Sequence, residues 1–446
     1  MGRREPAGRY PTLLINLLEV LKLSIDNLTS EYVEKMQKKV EDLDYRVNSM
    51  TSKVKERDRN EFERDYARVL YSSSFRRLQG KMQLLGIKNT NFFRNRLTHS
   101  LEVAQIARGV ADTLGLETSR VVETCSLAHD LGNSPFGHYG EKVLNDIAIK
   151  QGIDGFEGNA QTLRILTTLE KKHHNYRGLN LTFRTLLGTV KYFNQFEINK
   201  DYELENRKFI YDSDYDLILE SLKKNGLSEK DAESIDMQIM DLADEIAYAA
   251  HDLEDCLNIE LFSINELLYE FKISEKYKDA YEEIYSIVER CKKFANRAEK
   301  LKTSEEYSAL FRKELTSEIV NTLVNDVGYS HESNKLGFID HKKLVSGLKD
   351  IVFDLLLKKP YVRKYEKNGE KVIRGLYKVY SDKDFNKDLS FLPPEFRNFE
   401  TDKERKRNII DFIAGMMDKF AIEEYKKYFG RSSLDKLYLE ELKEEE

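Results

Sequence analysis

The residues with the most capacity for chemistry lie in one stretch, Ala128-His129-Asp130-Leu131-Gly132-Asn133-Ser134-Pro135-Phe136-Gly137-His138-Tyr139-Gly140-Glu141. An adjacent His-Asp pair offers a ring nitrogen and a carboxylate oxygen side by side, a donor set suited to a divalent metal. The pair falls just before Gly132, which predicts the last turn of a helix beginning near Ser119, a good N-cap residue. The negative end of that helix dipole favours a cation. Gly132, Pro135 and Gly137 break the chain into a tight loop. A new helix is expected from about His138, with His138 and Glu141 on one face. A helix start is an anion site, so a metal at one helix end and an anion at the next point to phosphate-ester hydrolysis. A His-Asp dipeptide alone is common by chance, but two histidines and two acids around three glycines and a proline form a narrower pattern.

One His and one Asp under-coordinate a metal, so further ligands are expected elsewhere. His99 follows Arg94-Asn95-Arg96-Leu97-Thr98, whose cations suit phosphate. A helix predicted over Met237 to Leu257 carries Asp241, Asp244, Tyr248, Asp252 and Asp255 at three- and four-residue spacing. Such a stripe is ordinary on a solvated face and unusual among alanines.

The elements that must position these groups read as helices. Only 6 prolines and 22 glycines occur in 446 residues, which favours a mostly helical chain. Charged residues make up 34%, but hydrophobic residues at 40% still allow a sizeable core. A net charge of −6 gives no global attraction to nucleic acid or anionic membrane, so phosphate must meet a local basic patch. Cys125, Cys256 and Cys291 match no zinc spacing and read as reduced thiols of a cytoplasmic protein. Leu13 to Leu23 is too short and too charged to span a membrane or serve as a signal peptide.

In chain order, Leu14, Leu17, Leu18 and Leu21 mark one face of an N-terminal helix suited to packing or subunit contact. A helix is expected from Glu61 to Leu85, ended by Gly86. Another occupies the stretch Phe92 to Gly115, with Leu101, Ala104, Ala107, Ala111 and Leu114 inward. A helix from Asn159 and one over Leu181 to Tyr192 follow, then a polar excursion at 199–216 read as a small hairpin. Amphipathic helices fill 260–330. The Asn368-Gly369 centre within 359–400 suggests a hairpin turn, terminal helices start near Asp402, and 440–446 is an acidic, frayed tail. Glu157, Asn159 and Gln161 read equally well as helix-capping groups or as functional ones. His173-His174 reads as an exposed turn, His251 as packing or solvent-facing, and Cys125 as core; His331 and His341 carry no assignment.

Five blocks together resemble a known family: Phe75-Arg76-Arg77-Leu78-Gln79, Arg96 to Val103, His129 to Glu141, Gly155 to Gln161, and Ala243-Asp244-Glu245-Ile246-Ala247-Tyr248. In order and content they resemble the HD-domain superfamily of metal-dependent phosphohydrolases, and within it the dGTPase-like deoxynucleoside triphosphate triphosphohydrolases. The resemblance covers roughly residues 55 to 258. It implies an all-α HD fold with additional C-terminal helices and room for a small β-hairpin. The expected division is an N-terminal helical extension at 1–54, the phosphohydrolase core at 55–260, and a helical C-terminal region at 261–446 that completes the body and offers an oligomer interface.

The implied reaction is hydrolysis of a dNTP to deoxynucleoside and inorganic triphosphate, with water attacking the α-phosphorus. The implied metal ligands are His99, His129, Asp130 and Asp244, suiting Mn²⁺ or Mg²⁺, with Fe or Co as further options. His138 matches a general acid or base with Glu141 as partner. Arg96, Lys191 and Tyr192 match phosphate contacts, Gln83 a reader of the sugar 3′-hydroxyl, and Tyr248 and Asp252 the deoxyribose wall. Asn133 departs from the commoner His-Asp-Leu-Gly-His form. An amide exchanges no proton, though it can hydrogen-bond a phosphate oxygen, so catalysis is expected to lean on His138. The implied partners are a dNTP substrate, further copies of the chain in a homo-oligomer (a hexamer among the forms expected), and a nucleotide activator; no membrane is expected.

Two alternatives were weighed. An HD-type phosphohydrolase acting on a monophosphate, cyclic nucleotide or alarmone would share the metal, but Gln83, Tyr248 and the Arg-Leu-Thr-His block count against it. A non-catalytic regulator binding dNTPs or single-stranded nucleic acid is opposed by the intact histidines and by the net negative charge.

Overall fold

A computed structural model describes residues 26–48, 60–83, 94–171, 173–196 and 208–435. The apolar stretch Leu13 to Leu23, the segment 197–207 and the acidic tail lie outside these residues. Helices dominate, and among the described residues the fold is all-α apart from one small hairpin.

The N-terminal half runs α1 (26–40), α2 (Glu61–Leu70), α3 (Ser73–Arg77), α4 (Arg96–Thr113), α5 (Arg120–Ala128), α6 (Gly137–Lys150), α7 (Gly158–Arg164), α8 (Phe183–Gly188), α9 (Asp212–Lys224) and α10 (Ile235–Ala247). The C-terminal half adds α11 (Leu253–Asn258), α12 (Ile264–Ile273), α13 (Tyr281–Ala295), α14 (Ser304–Val324), α15 (Lys342–Leu357), α16 (Pro360–Ser381), α17 (Asp402–Ala414) and α18 (Asp418–Phe429). Strands β1 (Val327–Ser330) and β2 (Lys335–Phe338) pair antiparallel, with Val327 opposite Phe338.

Helix α4 packs against α5 and α10, and α5 also against α2 and α8. Small residues make this close approach feasible: Ala104, Ala107 and Ala111 on α4, Ala128 on α5, and Ala243 and Ala247 on α10 are all buried. A second apolar core joins α6 to α16, α17 and α18 through Val143, Leu144, Ile373, Leu376 and Ile410. The loop between α5 and α6 crosses from one core to the other, with Leu131 in the first and Phe136 in the second.

Several local expectations are corrected. The run from Glu61 is three pieces, because Ser72 leaves helical geometry and caps α3 by accepting from Phe75 N–H at 3.1 Å. Helix α8 is shorter than the stretch Leu181 to Tyr192, capped by Thr182 and ended at Gly188, so Lys191 lies beyond it. Leu101 is 44% exposed rather than inward. Ser119 precedes α5 without a capping side-chain bond; Thr118 accepts from Arg120 N–H instead. Residues from Asp212 onward form α9 rather than part of a hairpin.

The Asn368-Gly369 centre is the middle of the 22-residue helix α16, not a turn. Pro360 at its first position starts the helix, and Val362, Val372, Ile373, Leu376, Tyr377 and Tyr380 recur at helical spacing along its buried side. Gly369 serves packing: a Cβ there would come within 2.6 Å of Phe136 Cγ. The hairpin is at 327–338. The three cysteines are free and buried.

Candidate metal centre and its cavity

Helix α4 starts on a reciprocal cap between Asn95 and Thr98, which sets His99 one turn in and buries it to 1% exposure. Helix α5 ends at Ala128 and delivers His129 and Asp130 at its carboxyl end. Helix α10, capped by Ser234, brings Asp244 against both histidines. His99 Nε2 lies 3.1 Å from Asp244 Oδ1, and His129 Nε2 lies 3.4 Å from the same oxygen. His129 Nε2 is 3.5 Å from Asp130 Oδ1. The donor atoms of His99, His129 and Asp130 all lie within 4.8 Å of one another.

The orientation of each donor has a cause. His129 Nδ1 lies 2.6 Å from the Ser126 carbonyl, so Nδ1 carries a proton and Nε2 turns inward toward the carboxylates. Among the described residues that buried Nε2 has no hydrogen-bond partner. The outer oxygens of the two aspartates are spoken for: Arg96 Nη1 donates to Asp130 Oδ2 at 2.9 Å, and Lys191 Nζ to Asp244 Oδ2 at 3.1 Å. Asn133 Nδ2 donates to Asp130 Oδ1. Imidazole nitrogens and carboxylate oxygens that follow one another at 3.1, 3.4 and 3.5 Å along His99, Asp244, His129 and Asp130 are a donor set that suits a divalent ion.

Burial would push the Asp130 carboxyl up, yet the Arg96 guanidinium and the His129 and His99 rings hold it at about 2. Asp244 is likewise held well below the carboxylate range against burial by Lys191 and His129. Burial acts to lower His129, but Asp130 and Asp244 raise it to about 9. All three shifts reflect a cluster in which cations and carboxylates compensate each other's burial.

Gly132 fixes the loop beyond Asp130. A Cβ there would collide with the Gly158 carbonyl and the Thr162 amide. Its N–H donates to Thr162 Oγ1 at 2.9 Å, and that hydroxyl donates to the His129 carbonyl at 3.0 Å. The first turn of α7 is thus keyed into the metal loop.

The centre opens on a cavity of about 430 Å³ whose lining includes Gln83, His129, Asp130, Asn133, His138, Glu141, Lys191, Tyr192, Lys208, Asp244, Tyr248, Asp252, Lys349 and Phe353. His138 is exposed and its Nδ1 lies 3.7 Å from Glu141 Oε2. Lys208 Nζ contacts Glu157 at 2.7 Å and Glu141 at 3.5 Å. Burial works to raise Glu141, but His138 and Lys208 hold it at about 2. The chain leaves α-helical spacing after Ala247 and makes one π-helical turn, Tyr248–Asp252, the kind of insertion that re-aims side chains at functional sites. Tyr248 there meets His99 with ring centres 5.0 Å apart and the planes tilted by 45°. Burial and the nearby Asp255 push Asp252 well above the carboxylate range, so its carboxyl can donate a hydrogen bond.

The HD domain family model matches residues 96–249, and that of a phosphohydrolase-associated domain matches residues 340–427. A deoxyguanosinetriphosphate triphosphohydrolase-like protein 2 of Vibrio cholerae is 51% identical over 413 residues, which cover 93% of this chain and 99% of that protein. The chain belongs to the HD-domain family, among its deoxyguanosinetriphosphate triphosphohydrolase-like members. A relative from Rickettsia typhi with the same description is 36% identical over 82% of this chain and 91% of its own length. The family makes this chain a phosphohydrolase, with a His/Asp cluster of the metal-binding kind at its centre.

Against that family background, the structure brings His99, His129, Asp130 and Asp244 together. His138, Glu141, Asn133, Lys191, Tyr192, Tyr248, Asp252 and Gln83 stand around the cavity. Both amide atoms of Gln83 are buried and, among the described residues, have no hydrogen-bond partner. Arg96 is placed differently: it is 1% exposed, backs Asp130, and is not among the lining residues. Lys208, Lys349 and Phe353 line the cavity without having been singled out in the sequence. Their only signal there was charge or aromaticity in helices and a polar excursion that match no motif. The capping reading of Glu157 is met, since it accepts from Ala160 N–H at 2.8 Å while also holding Lys208. His251 packs, with Nδ1 3.1 Å from Glu102. Among the described residues no helix is long and apolar enough to cross a membrane.

Proposed function

We propose that this protein hydrolyses deoxynucleoside triphosphates to the deoxynucleoside and inorganic triphosphate. His99, His129, Asp130 and Asp244 would hold Mn²⁺ or Mg²⁺, with Fe or Co also compatible with the donors. The observation that supports this best is the convergence of two imidazoles and two carboxylates, three of which (His129, Asp130 and Asp244) line a cavity that also carries Lys191, Lys208 and Lys349. The relatives' description adds dGTP as the first substrate to test.

When bound, the ion supplies Lewis-acid polarisation at the α-phosphorus and a route to activated water. The remaining work belongs to side chains. Lys191 and Lys208 put positive charge where a tetra-anionic triphosphate must lie, and Tyr192 lies beside them. Arg96 acts through Asp130, which it orients and keeps ionised. With Nδ1 toward Glu141, His138 is left with Nε2 to give or take a proton at the water or at the departing 5′-oxygen. Asn133 moves no proton and steadies Asp130. Tyr248 would lie against C2′ of the sugar and leave no space for a ribose hydroxyl. Gln83 and a protonated Asp252 would hydrogen-bond the sugar. The exposed ring of Phe353, which also lines the cavity, offers stacking for the base.

A cytoplasmic homo-oligomer, with a hexamer among its forms and a second nucleotide as activator, completes the proposal. The test is a product assay with Mn²⁺ and each of the four dNTPs, alone and mixed, with GTP in parallel. Triphosphate from dNTPs and little from GTP is the expected result. Release of pyrophosphate or phosphate would overturn the reaction assigned here, and equal turnover of GTP would remove the role given to Tyr248.

A further inference from the structure

The turn that launches the His138 helix is held in an unfavourable backbone conformation. Phe136 has φ 64° and ψ 26°, the left-handed region, which a bulky L-residue adopts only when its surroundings impose it. Those surroundings come from the far end of the chain. The Phe136 N–H donates to Asp418 Oδ1 at 3.0 Å. Its ring meets Tyr365 edge-on at 5.6 Å and packs over Gly369. Asp418 opens α18 and is 7% exposed. Its other oxygen accepts from the Met82 N–H and the Tyr365 hydroxyl, each at 3.0 Å. A second strut runs parallel: buried Lys81 donates from Nζ to the carbonyls of Asn133 and, at 2.8 Å, Ala414.

One carboxylate therefore pins the backbone two residues before His138 and one residue before Gln83, both of which line the cavity, without lining it itself. We propose that Asp418 is a positioning residue for the phosphohydrolase site, holding the left-handed turn at Phe136 so that His138 and Glu141 face the α-phosphorus and Gln83 faces the sugar. Its catalytic part rests on the function proposed above; its structural part does not.

Asp418→Asn replaces one acceptor oxygen by an NH₂ that faces an N–H. The variant is expected to lose about tenfold or more in kcat/KM for dGTP, the scale of a small misplacement of reacting groups. Mn²⁺ affinity should stay within about twofold, because His99 sits on α4, Asp244 on α10, and His129 and Asp130 directly after α5, ahead of the pinned turn at Phe136. Hydrogen exchange should speed up in peptides covering 133–140 and stay unchanged in those covering 120–128. Tyr365→Phe, which leaves both backbone bonds intact, is the control expected to match wild type.

A merely structural Asp418 would instead lower Mn²⁺ affinity and activity in step with the folded fraction, and that result overturns the proposal. So does unchanged exchange and unchanged kcat/KM. Should the Asn chain not fold, Asp418→Ser and the Phe136 amide of the wild type still decide: rapid exchange of that amide in the native protein contradicts the anchor. If wild type releases no triphosphate but the exchange pattern holds, the function fails and the anchor stands.

Discussion

The Asn133 amide spends its donors on Asp130, one on the carboxylate and one on the backbone carbonyl at 3.3 Å. Its task is to orient a proposed ligand, which explains how a residue unable to exchange protons can occupy this position. Partners of metal ligands typically matter by 10- to 100-fold in affinity or activity. Asn133→Ala is therefore expected to lower Mn²⁺ affinity or turnover by about 10- to 100-fold, read by metal titration and steady-state kinetics, with the melting temperature nearly unchanged. Residues of this kind were legible in the sequence because their types are unusual together: His129, Asp130, His138 and Glu141 declare themselves in fourteen positions. Lys208, Lys349 and Phe353 were not, because lysine and phenylalanine are ordinary residue types, and only the packing of α15 on the Tyr248–Asp252 turn and the ion pairs of Lys208 with Glu141 and Glu157 bring them to one cavity.

At the level of elements, helix existence was readable and helix continuity was not. Ser72 and Thr182 are capping residues that also occur inside helices, so their effect on the breaks at α3 and α8 depended on local geometry. The Asn368-Gly369 pair carries the strongest short hairpin signal, yet α16 overrides it because its apolar stripe packs on α6 and α18 and Gly369 admits the Phe136 ring. The π-helical turn at Tyr248–Asp252 leaves no trace in residue types, although it decides where Tyr248 points. Gly132 was read as a helix breaker, but its stronger role is close approach to α7. Backbone stands on both sides, so little can give way. Gly132→Ala is expected to lose about 1–3 kcal/mol of stability in urea unfolding, with weakened Mn²⁺ binding as the metal loop shifts.

Across the whole molecule, the loop from His129 to Gly137 spans two apolar cores, so the site depends on both halves of the chain. The C-terminal half contributes more than cover: Asp411 on α17 accepts from Gln161 and Arg164, and Arg407 Nη2 donates to the carbonyls of Asp154 and Gly155. The resemblance covered this half only loosely, since such anchoring needs no motif. His341, given no role from sequence, joins three elements there. Its ring nitrogens lie 3.0 Å from Asp326, beside β1, and 2.6 Å from Glu283 on α13, at the start of α15. The adjacent carboxylates of Asp326 and Glu283 raise its pKa to about 10. A raised pKa stabilises the fold fully below the unfolded value of about 6.5, and that stability is lost as pH rises through the folded value. The melting-temperature gap between wild type and His341→Gln is therefore expected to be widest below about pH 6.5 and to shrink toward pH 10.

The route of water tests the central reading most directly. Turnover of dGTP with Mn²⁺ in ¹⁸O-enriched water, followed by mass spectrometry of both products, should find one label in the triphosphate and none in the deoxyguanosine. Label in a deoxynucleoside monophosphate, with pyrophosphate as the other product, would contradict it.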